Sequence, residues 1–227
     1  MLTLKRFSTP TITLLISWLL VLEATATQSP STHRPTDTMR LSLFAELLEH
    51  RDIVMLGDSI TARGEWAEFF PGASIANRGI SGDTTTGILS RLDQITDIKP
   101  KAVFIMAGIN DLVLGESTSK IILNYQKIIS TLSDAGANVV VQSTLYVSKK
   151  SRLPNNSKIF TINENLKDYC STKNECEFID LNTSMSPKGI LDQNYTGDGI
   201  HLTGKGYIAW AKEISKTIAT YSNNHQN

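Results

Sequence analysis

The sequence predicts an α/β fold: a three-layer α/β/α sandwich around a central parallel five-stranded sheet, in a flavodoxin-like arrangement. Five short runs of apolar, mostly β-branched residues alternate along the chain with longer stretches of helical periodicity. These runs are apolar at successive positions, as strands are when helices cover both faces of the sheet. Crossover handedness limits such a sheet to a few topologies, and 227 residues suit a single core of this kind.

Each predicted strand is a short apolar run that stops at a glycine or at polar residues. The first run, residues 52–56, is followed directly by Gly57, and the third, residues 102–106, is the clearest buried strand. The second run, residues 74–77, is a weaker candidate. The five predicted strands cover residues 52–56, 74–77, 102–106, 138–142 and 177–180.

The stretches between these strands have apolar residues at the three- and four-residue spacing of amphipathic helices. The longest, residues 117–135, ends at Gly136, as helices commonly do. The stretch over residues 84–95 has Asp83 or Thr84 as a candidate N-cap. The predicted helices cover residues 40–50, 65–70, 84–95, 117–135, 159–169 and 203–221.

The first 38 residues differ in composition from the rest of the chain. Lys5 and Arg6 precede an apolar run at residues 11–22, which is short for a membrane span, and small residues follow at 24–26. This pattern predicts a secretory signal peptide at residues 1–26, with an uncleaved anchor as the alternative. We then expect a flexible leader at residues 27–38, a folded domain at residues 39–223 and a tail at residues 224–227.

Charge and cysteine content indicate the environment of the protein. Lys and Arg total 22, as do Asp and Glu, and this zero net charge gives no reason to expect a nucleic-acid partner. A cleaved signal peptide predicts an exported protein, periplasmic or secreted, without stable membrane insertion. Cys170 and Cys176 flank a polar turn at short spacing, which favours a disulfide over two free buried thiols. Neither has the histidine spacing of a zinc site, so we expect no metal.

Residues with catalytic chemistry follow three of the predicted strands. Ser59 comes after the first strand, Gly79 after the second and Asn110 after the third. The carboxyl ends of parallel strands lie at one edge of the sheet, where such folds place their ligands. Asp198 and His201 precede the last predicted helix, and their loop can return to the same edge. The sequence therefore predicts that these five residues converge.

The residue types at these positions are those of a serine hydrolase. Ser59 would be the nucleophile, His201 the general base and Asp198 the carboxylate that orients the imidazole. The Gly79 N–H and the Asn110 amide would stabilise the oxyanion. Each residue also has a structural alternative: an N-cap for the serine, turns for the glycine, asparagine and aspartate, and a surface position for the histidine. The other histidines lie in the leader, at a helix end and in the tail: His33, His50 and His225.

Four ordered blocks of the chain resemble the signature blocks of the SGNH (GDSL-type) hydrolase family. They are Gly57-Asp58-Ser59, Gly79, Gly108-Ile109-Asn110-Asp111 and Asp198-Gly199-Ile200-His201. Residues 77–85 further resemble the branch related to platelet-activating-factor acetylhydrolase, and the similarity extends from about residue 53 to the final helix. The pattern departs at Ile60, where the family often has leucine.

The resemblance implies a fold, a mechanism and a set of residue roles. It implies the three-layer SGNH hydrolase fold over residues 39–223, no cofactor, and hydrolysis of acyl esters through an acyl-enzyme on Ser59. By the same resemblance, His201 is the base and Asp198 assists it. The N–H of Ser59 joins Gly79 and Asn110 in the oxyanion hole.

The sequence defines the substrate less well than the chemistry. We expect a small-molecule, carbohydrate or lipid ester, with a short acyl group such as acetyl, because no long apolar lid is visible. The loops at residues 145–157 and 183–196 should rim the pocket. Their Lys149, Lys150 and Arg152 either meet an anionic substrate or form a solvated basic loop. Lysophospholipase and thioesterase activities are alternatives for the same fold.

Two further classes of function remain open. A metal-dependent hydrolase could use Asp58, Asp111, Asp198 and His201 at the sheet edge, although Ser59 would then have no task. An inactive hydrolase scaffold that binds cell-surface glycans is the other hypothesis, and the intact set of catalytic residue types argues against it.

Overall fold

The structure is a computed structural model, which describes residues 35–151 and 156–222. The predicted signal peptide at residues 1–26, most of the predicted leader, Arg152 and the tail at residues 224–227 lie outside the described residues. Within them, no helix is both long enough and apolar enough to cross a membrane.

The described chain alternates between strands and helices, with several short helices directly after strands. In chain order the elements are α1 (Pro35–Glu46), β1 (Ile53–Gly57), α2 (Ser59–Ala62), α3 (Trp66–Phe69), β2 (Ile75–Gly79), α4 (Thr85–Leu89), α5 (Asp93–Thr96), β3 (Ala102–Met106), α6 (Ile109–Val113), α7 (Thr118–Asp134), β4 (Asn138–Gln142), α8 (Asn156–Thr172), β5 (Cys176–Ile179), α9 (Asn182–Met185) and α10 (Gly204–Tyr221).

The strands form one parallel sheet in the order β2-β1-β3-β4-β5, which confirms the predicted fold class and its flavodoxin-like order. Helix contacts group α4, α7 and α8 together, and α3, α9 and α10 together, as the two outer layers of the sandwich. In the register of the sheet, Gly57 lies opposite Gly79 on one side and Met106 on the other. The ends of three central strands are therefore level.

Buried aromatic residues attach helix α10 to the sheet and to α2. The Trp210 ring is fully buried, packs edge-on against Trp66 with 4.7 Å between centroids, and donates from Nε1 to the Gln142 side chain at the end of β4. The Tyr207 hydroxyl donates to the Ile60 carbonyl at 2.8 Å. The amino-terminal end of α10 is thereby fixed against the helix that follows β1.

The structure corrects the predicted helix at residues 84–95, which is divided into α4 and α5. Two residues of low helix propensity, Gly87 and Ser90, lie in this segment, and the Ser90 hydroxyl bonds back to the Gly87 carbonyl at 2.7 Å. Arg91 follows with its side chain drawn into the interior, where it is 2% exposed. The predicted continuous helix is thus interrupted where the Ser90 hydroxyl bonds to the preceding turn and the Arg91 side chain is buried.

Other boundaries differ by a few residues. Helix α1 begins and ends earlier than predicted, and the Leu47 carbonyl just beyond it accepts from Arg78 at 2.6 Å. Helix α8 is longer than predicted at both described ends, and β5 begins and ends one residue earlier. The short helices α2, α6 and α9 were not predicted because four or five residues cannot show a helical period.

Cys170 and Cys176 form a disulfide, with 5.0 Å between their Cα atoms. It joins the last turn of α8 to the first residue of β5. The disulfide closes the short loop between α8 and β5, which is more than 100 residues from Ser59 in the sequence.

Candidate active site

Ser59 lies at the first position of α2, immediately after the end of β1. The N-cap of this helix is Asp58, whose Oδ1 accepts the Ile60 N–H at 2.9 Å, so the serine itself is not the cap. A side chain at position 57 would clash, because a Cβ there would lie 2.3 Å from the Met106 carbonyl oxygen. Glycine at position 57 therefore lets β1 and β3 pack closely where β1 ends, and Ser59 follows two residues later at the carboxyl edge of the sheet.

The loop that carries Asp198 and His201 is held by several contacts near its base. Thr196 and Leu202 form an isolated antiparallel bridge, and the Thr196 hydroxyl accepts the Gly199 N–H at 2.9 Å. Gly199 has a φ of +96°, and a Cβ at this position would lie 2.5 Å from the Ser151 nitrogen. The Gly199 carbonyl accepts the Ser148 N–H at 2.9 Å. Only glycine meets both the backbone angle and the close approach.

The structure brings Ser59, His201 and Asp198 into one hydrogen-bonded row. The Ser59 Oγ lies 3.0 Å from His201 Nε2, and Asp198 Oδ2 lies 2.7 Å from His201 Nδ1. The other carboxylate oxygen of Asp198 accepts the N–H groups of Ile200 and His201 at 2.9 and 2.8 Å. A serine, an imidazole and a carboxylate in this order have the geometry of a nucleophile, a base and an orienting group.

Hydrogen bonding keeps Asp198 ionised. Partial burial opposes its charge, but the bonds from the His201 ring and from the Ile200 and His201 N–H groups outweigh it and lower the pKa of this carboxyl well below its ordinary value. Asp198 is therefore an anion at neutral pH, and its Oδ2 can accept a hydrogen bond from a proton on Nδ1. Nε2 is then left as the acceptor that faces the serine.

Two further carboxyls lie buried beneath the site. Burial raises the pKa of Asp58 to about 7; repulsion from Asp83 and Asp111 adds to the rise, and the Ile60 N–H bond opposes it. Burial also raises the pKa of Asp111, although its carboxylate accepts the N–H and hydroxyl of Thr85. These groups face backbone and hydroxyl donors, so their arrangement is structural.

The predicted oxyanion donors differ in how they are engaged. The Ser59 N–H makes no hydrogen bond within the described part of the chain, and the Asn110 amide uses one hydrogen, donated to the Asp83 carbonyl at 2.9 Å. The Gly79 N–H already donates to the Asn77 side chain at 3.0 Å. Gly79 also permits close packing, since a Cβ there would lie 2.3 Å from the Ala62 nitrogen. Gly79 could therefore serve an oxyanion only by sharing its hydrogen.

A neighbouring glycine, not singled out from the sequence, has the free N–H that Gly79 lacks. Gly82 has a φ of +81° and makes no hydrogen bond through its nitrogen to any described residue. It adjoins Asp83, whose carbonyl holds the Asn110 amide. The sequence does show a second glycine after β2, but it does not show that the N–H of Gly82 is free while that of Gly79 is bonded.

The four residues that a metal-dependent hydrolase would use, Asp58, Asp111, Asp198 and His201, are already engaged in hydrogen bonds within the described part of the chain. Asp58 and Asp111 are engaged by backbone N–H and hydroxyl donors, and Asp198 is engaged by His201. Among the described residues, no three His, Cys, Asp or Glu side chains are arranged to hold a metal ion. The described residues therefore do not fit the centre that a metal-dependent hydrolase would need.

The loops at residues 145–157 and 183–196, which were expected to rim the substrate pocket, contribute instead to a separate cavity of about 490 Å³. Its lining comes from Lys149 and from residues between Pro187 and Asn194, and neither Ser59 nor His201 contributes to it. Lys149 and Lys150 are exposed, whereas Arg152 lies outside the described residues. The cavity is thus a neighbour of the loop at residues 198–201 and is separate from the serine.

Comparison with known proteins identifies relatives of this chain. The family model described as "GDSL-like Lipase/Acylhydrolase family" matches residues 55–209. An N-acylneuraminate cytidylyltransferase of Streptococcus agalactiae is 28% identical over 150 residues, covering 66% of this chain. That match is 34% of the relative's length, so the chain spans about a third of the first curated relatives it matches.

Two other relatives are covered more fully. The platelet-activating factor acetylhydrolase IB subunit alpha2 of Homo sapiens is 27% identical over 177 residues, which are 74% of this chain and 76% of the relative. The crystal structure of a lipase/acylhydrolase from Enterococcus faecalis superposes with a TM-score of 0.69 at 23% identity, covering 78% of this chain and 100% of that one. At that identity the superposition supports the fold alone.

Replacing Asp58 by asparagine should remove part of the pH dependence of stability. With a folded-state pKa of about 7, Asp58 binds a proton on folding, so its stabilising contribution is complete below about pH 4 and is lost as the pH rises to 7. Each tenfold difference in proton affinity between the folded and unfolded protein corresponds to about 1.4 kcal/mol. Asp58→Asn keeps the acceptor for the Ile60 N–H but carries no charge.

The measurement is the free energy of unfolding in denaturant at several pH values between 4 and 8. The difference between wild type and Asp58→Asn should turn against the wild type as the pH rises. Asp134→Asn, at the exposed end of α7, is the matched surface control and should follow the wild type. A difference between wild type and Asp58→Asn that stays constant with pH would contradict the buried, protonated carboxyl.

Proposed function

Because the chain belongs to the GDSL-like lipase/acylhydrolase family, we propose that it is a hydrolase of ester bonds and cleaves carboxylic esters through an acyl-enzyme on Ser59. The observation that carries this proposal is the 3.0 Å contact between Ser59 Oγ and His201 Nε2. The two residues are 142 positions apart in the chain, and their side chains meet at the carboxyl edge of the sheet. This contact is the one a serine needs to lose its proton as it attacks.

Acylation would proceed by direct attack of the serine on the ester. His201 Nε2 takes the proton from Ser59 as Oγ forms a bond to the carbonyl carbon, and Asp198 stabilises the imidazolium that results. The tetrahedral intermediate collapses by breaking the bond to the alcohol oxygen, which receives the proton from His201. Water then attacks the acyl-enzyme with His201 again as the base, releasing the carboxylic acid and restoring the serine.

The oxyanion of each intermediate needs donors that are not already engaged. We assign the free N–H of Ser59 and the second amide hydrogen of Asn110 to this role, and the Gly82 N–H as the third donor in preference to Gly79. The support is the hydrogen bonding of the free protein: Gly79 is bonded to Asn77, whereas Gly82 is not bonded to a described residue. Preorganised donors of this kind supply a large part of the stabilisation in acyl transfer.

We propose a short acyl group, such as acetyl, on a larger alcohol. Ser59 is only 7% exposed, whereas the His201 and Asp198 side chains are 27% and 57% exposed. The nucleophile is therefore confined on one side and open on the other. A small acyl group suits the confined side, and a carbohydrate or other large alcohol suits the open side. Lysophospholipase and thioesterase activities would need a longer acyl group or a sulfur leaving group at the same serine.

Ser59→Ala should abolish hydrolysis of nitrophenyl esters while leaving the fold intact. Loss of a serine nucleophile typically costs several orders of magnitude in kcat. Initial rates with acetate, butyrate and octanoate esters measure both the loss and the chain-length preference, which should favour acetate in the wild type. Ser215→Ala, an exposed serine of α10 with a local bond to the Lys212 carbonyl, is the control. Equal rates in wild type and Ser59→Ala would refute the mechanism, and a preference for octanoate would refute the short acyl group.

Asn110→Ala should lower kcat far more than it raises KM. Loss of one oxyanion donor typically costs about 10²–10³ in turnover, since the donor acts on charge that develops only in the transition state. Steady-state kinetics with nitrophenyl acetate separate the two parameters. Asn165→Ala, on the exposed face of α8, should match the wild type. A change confined to KM would show that Asn110 binds the ground state instead.

We also propose that the protein is exported, periplasmic or secreted, after cleavage near Thr27. The support is the basic start and apolar run of the first 26 residues, together with the Cys170–Cys176 disulfide. Expression of the full chain in a secretion-competent host, followed by N-terminal sequencing of the exported material, tests it. A retained residue 1 would favour the uncleaved anchor, and recovery only from the cytoplasm would contradict export.

A further inference from the structure

A buried ion pair lies beneath the site, between the loop after β2 and the break between α4 and α5. Arg91 Nε donates to Asp83 Oδ2 at 2.9 Å, and the two side chains are 3% and 1% exposed. Arg91 Nη1 is buried with no hydrogen-bond partner among the described residues. A buried ion pair is weak evidence for stability, because desolvation offsets the attraction, and an unpaired nitrogen adds to that cost. This pair therefore calls for an explanation other than stability.

Arg91 also binds the ends of two strands. Its Nη2 donates to the Arg78 carbonyl at 2.9 Å and makes a longer contact with the Gly57 carbonyl at 3.4 Å. Gly57 is the last residue of β1 and lies two positions before Ser59. Arg78 is the penultimate residue of β2, where the loop with Gly82 begins. One guanidinium group thus links the two strand ends that lead to the nucleophile and to the glycine loop.

The partner of Arg91 extends the same connection to the third strand. The Asp83 carbonyl accepts the Asn110 amide at 2.9 Å, and the Asp83 N–H donates to the Ile80 carbonyl at 3.1 Å. The second carboxylate oxygen of Asp83 accepts the Thr84 N–H at 3.0 Å. These hydrogen bonds of Asp83 therefore fix the loop after β2, to which the Asn110 side chain is bonded.

We infer that Arg91 is a positioning residue, which sets the oxyanion donors of three separate loops against Ser59. This role rests on the proposed function, since it has meaning only if an oxyanion forms there. Arg91 touches no reacting atom; it acts through Asp83 and through the carbonyls of Gly57 and Arg78. A planar guanidinium with donors at fixed angles can hold three acceptors at once, and a lysine ammonium on a flexible stem cannot reproduce that geometry.

The first test is Arg91→Lys, which keeps a positive charge next to Asp83 but loses the fork to the two carbonyls. We expect kcat for nitrophenyl acetate to fall by about 10- to 100-fold with KM within about threefold, because displacing donors by a fraction of an ångström acts on the transition state. The pH profile of kcat should keep its shape, since His201 and Asp198 are not contacted. Arg51→Lys, a half-exposed arginine paired with Glu49, is the matched control and should equal the wild type.

A second variant separates positioning from folding. The pair Asp83→Asn with Arg91→Met removes both charges together and leaves no uncompensated buried ion. We expect this double variant to unfold in denaturant close to the wild type, yet to keep the loss of kcat. Folding is followed by circular dichroism, and Ser59 reactivity by the rate of labelling with a fluorophosphonate, which should fall in parallel with kcat.

The outcomes separate this inference from the proposed function. A wild type that neither hydrolyses esters nor reacts with the fluorophosphonate would overturn both. An active wild type with an equally active Arg91→Lys would overturn the positioning role alone. Recovery of full kcat in the double variant, together with its stability, would show that Arg91 serves folding and would also overturn the inference.

Discussion

Three neighbouring parallel strands end at the same level, and this shared register positions the loops that carry the candidate site. Gly57 of β1 lies opposite Gly79 of β2 and Met106 of β3, so the loops that follow leave the sheet at the same height. The two glycines allow the backbones to approach closely, because a Cβ at position 57 or 79 would lie 2.3 Å from a neighbouring backbone atom. A shift of one register position would separate Ser59 from Asn110 before any side chain could compensate.

The histidine is positioned by a different part of the molecule. Its loop follows β5 and α9, and its contacts run to the turn at Ser148 and through α10, which Tyr207 ties to Ile60. The serine therefore depends on strand register, and the imidazole depends on loop and helix packing. The Tyr207–Ile60 hydrogen bond links the two sets of contacts, and the side chains of Ser59 and His201 meet at 3.0 Å.

The accuracy of the predicted fold depended on how clearly the hydrophobic pattern of each strand or helix appears in the sequence. The strands at residues 102–106 and 138–142 were predicted to the residue, because continuous β-branched runs between polar turns have few other interpretations. The break between α4 and α5 could not be predicted. Gly87 and Ser90 lower the helix propensity of this segment, but the contact of Arg91 with Asp83 in the interior is seen only in the structure.

The residue types of the site could be predicted from the sequence, but the hydrogen bonds that these residues make in the structure could not. The chemistry of serine, histidine and aspartate is evident from residue type, whereas every backbone N–H looks the same in a sequence, and only the structure shows that Asn77 already binds the one at Gly79. The charge beneath the site is equally hidden. Asp58 adjoins Ser59, and burial raises the pKa of Asp58 to about 7, so it carries a proton over much of the acidic range. Residue type alone suggests a fixed negative charge at position 58, whereas burial of the carboxyl favours its neutral form.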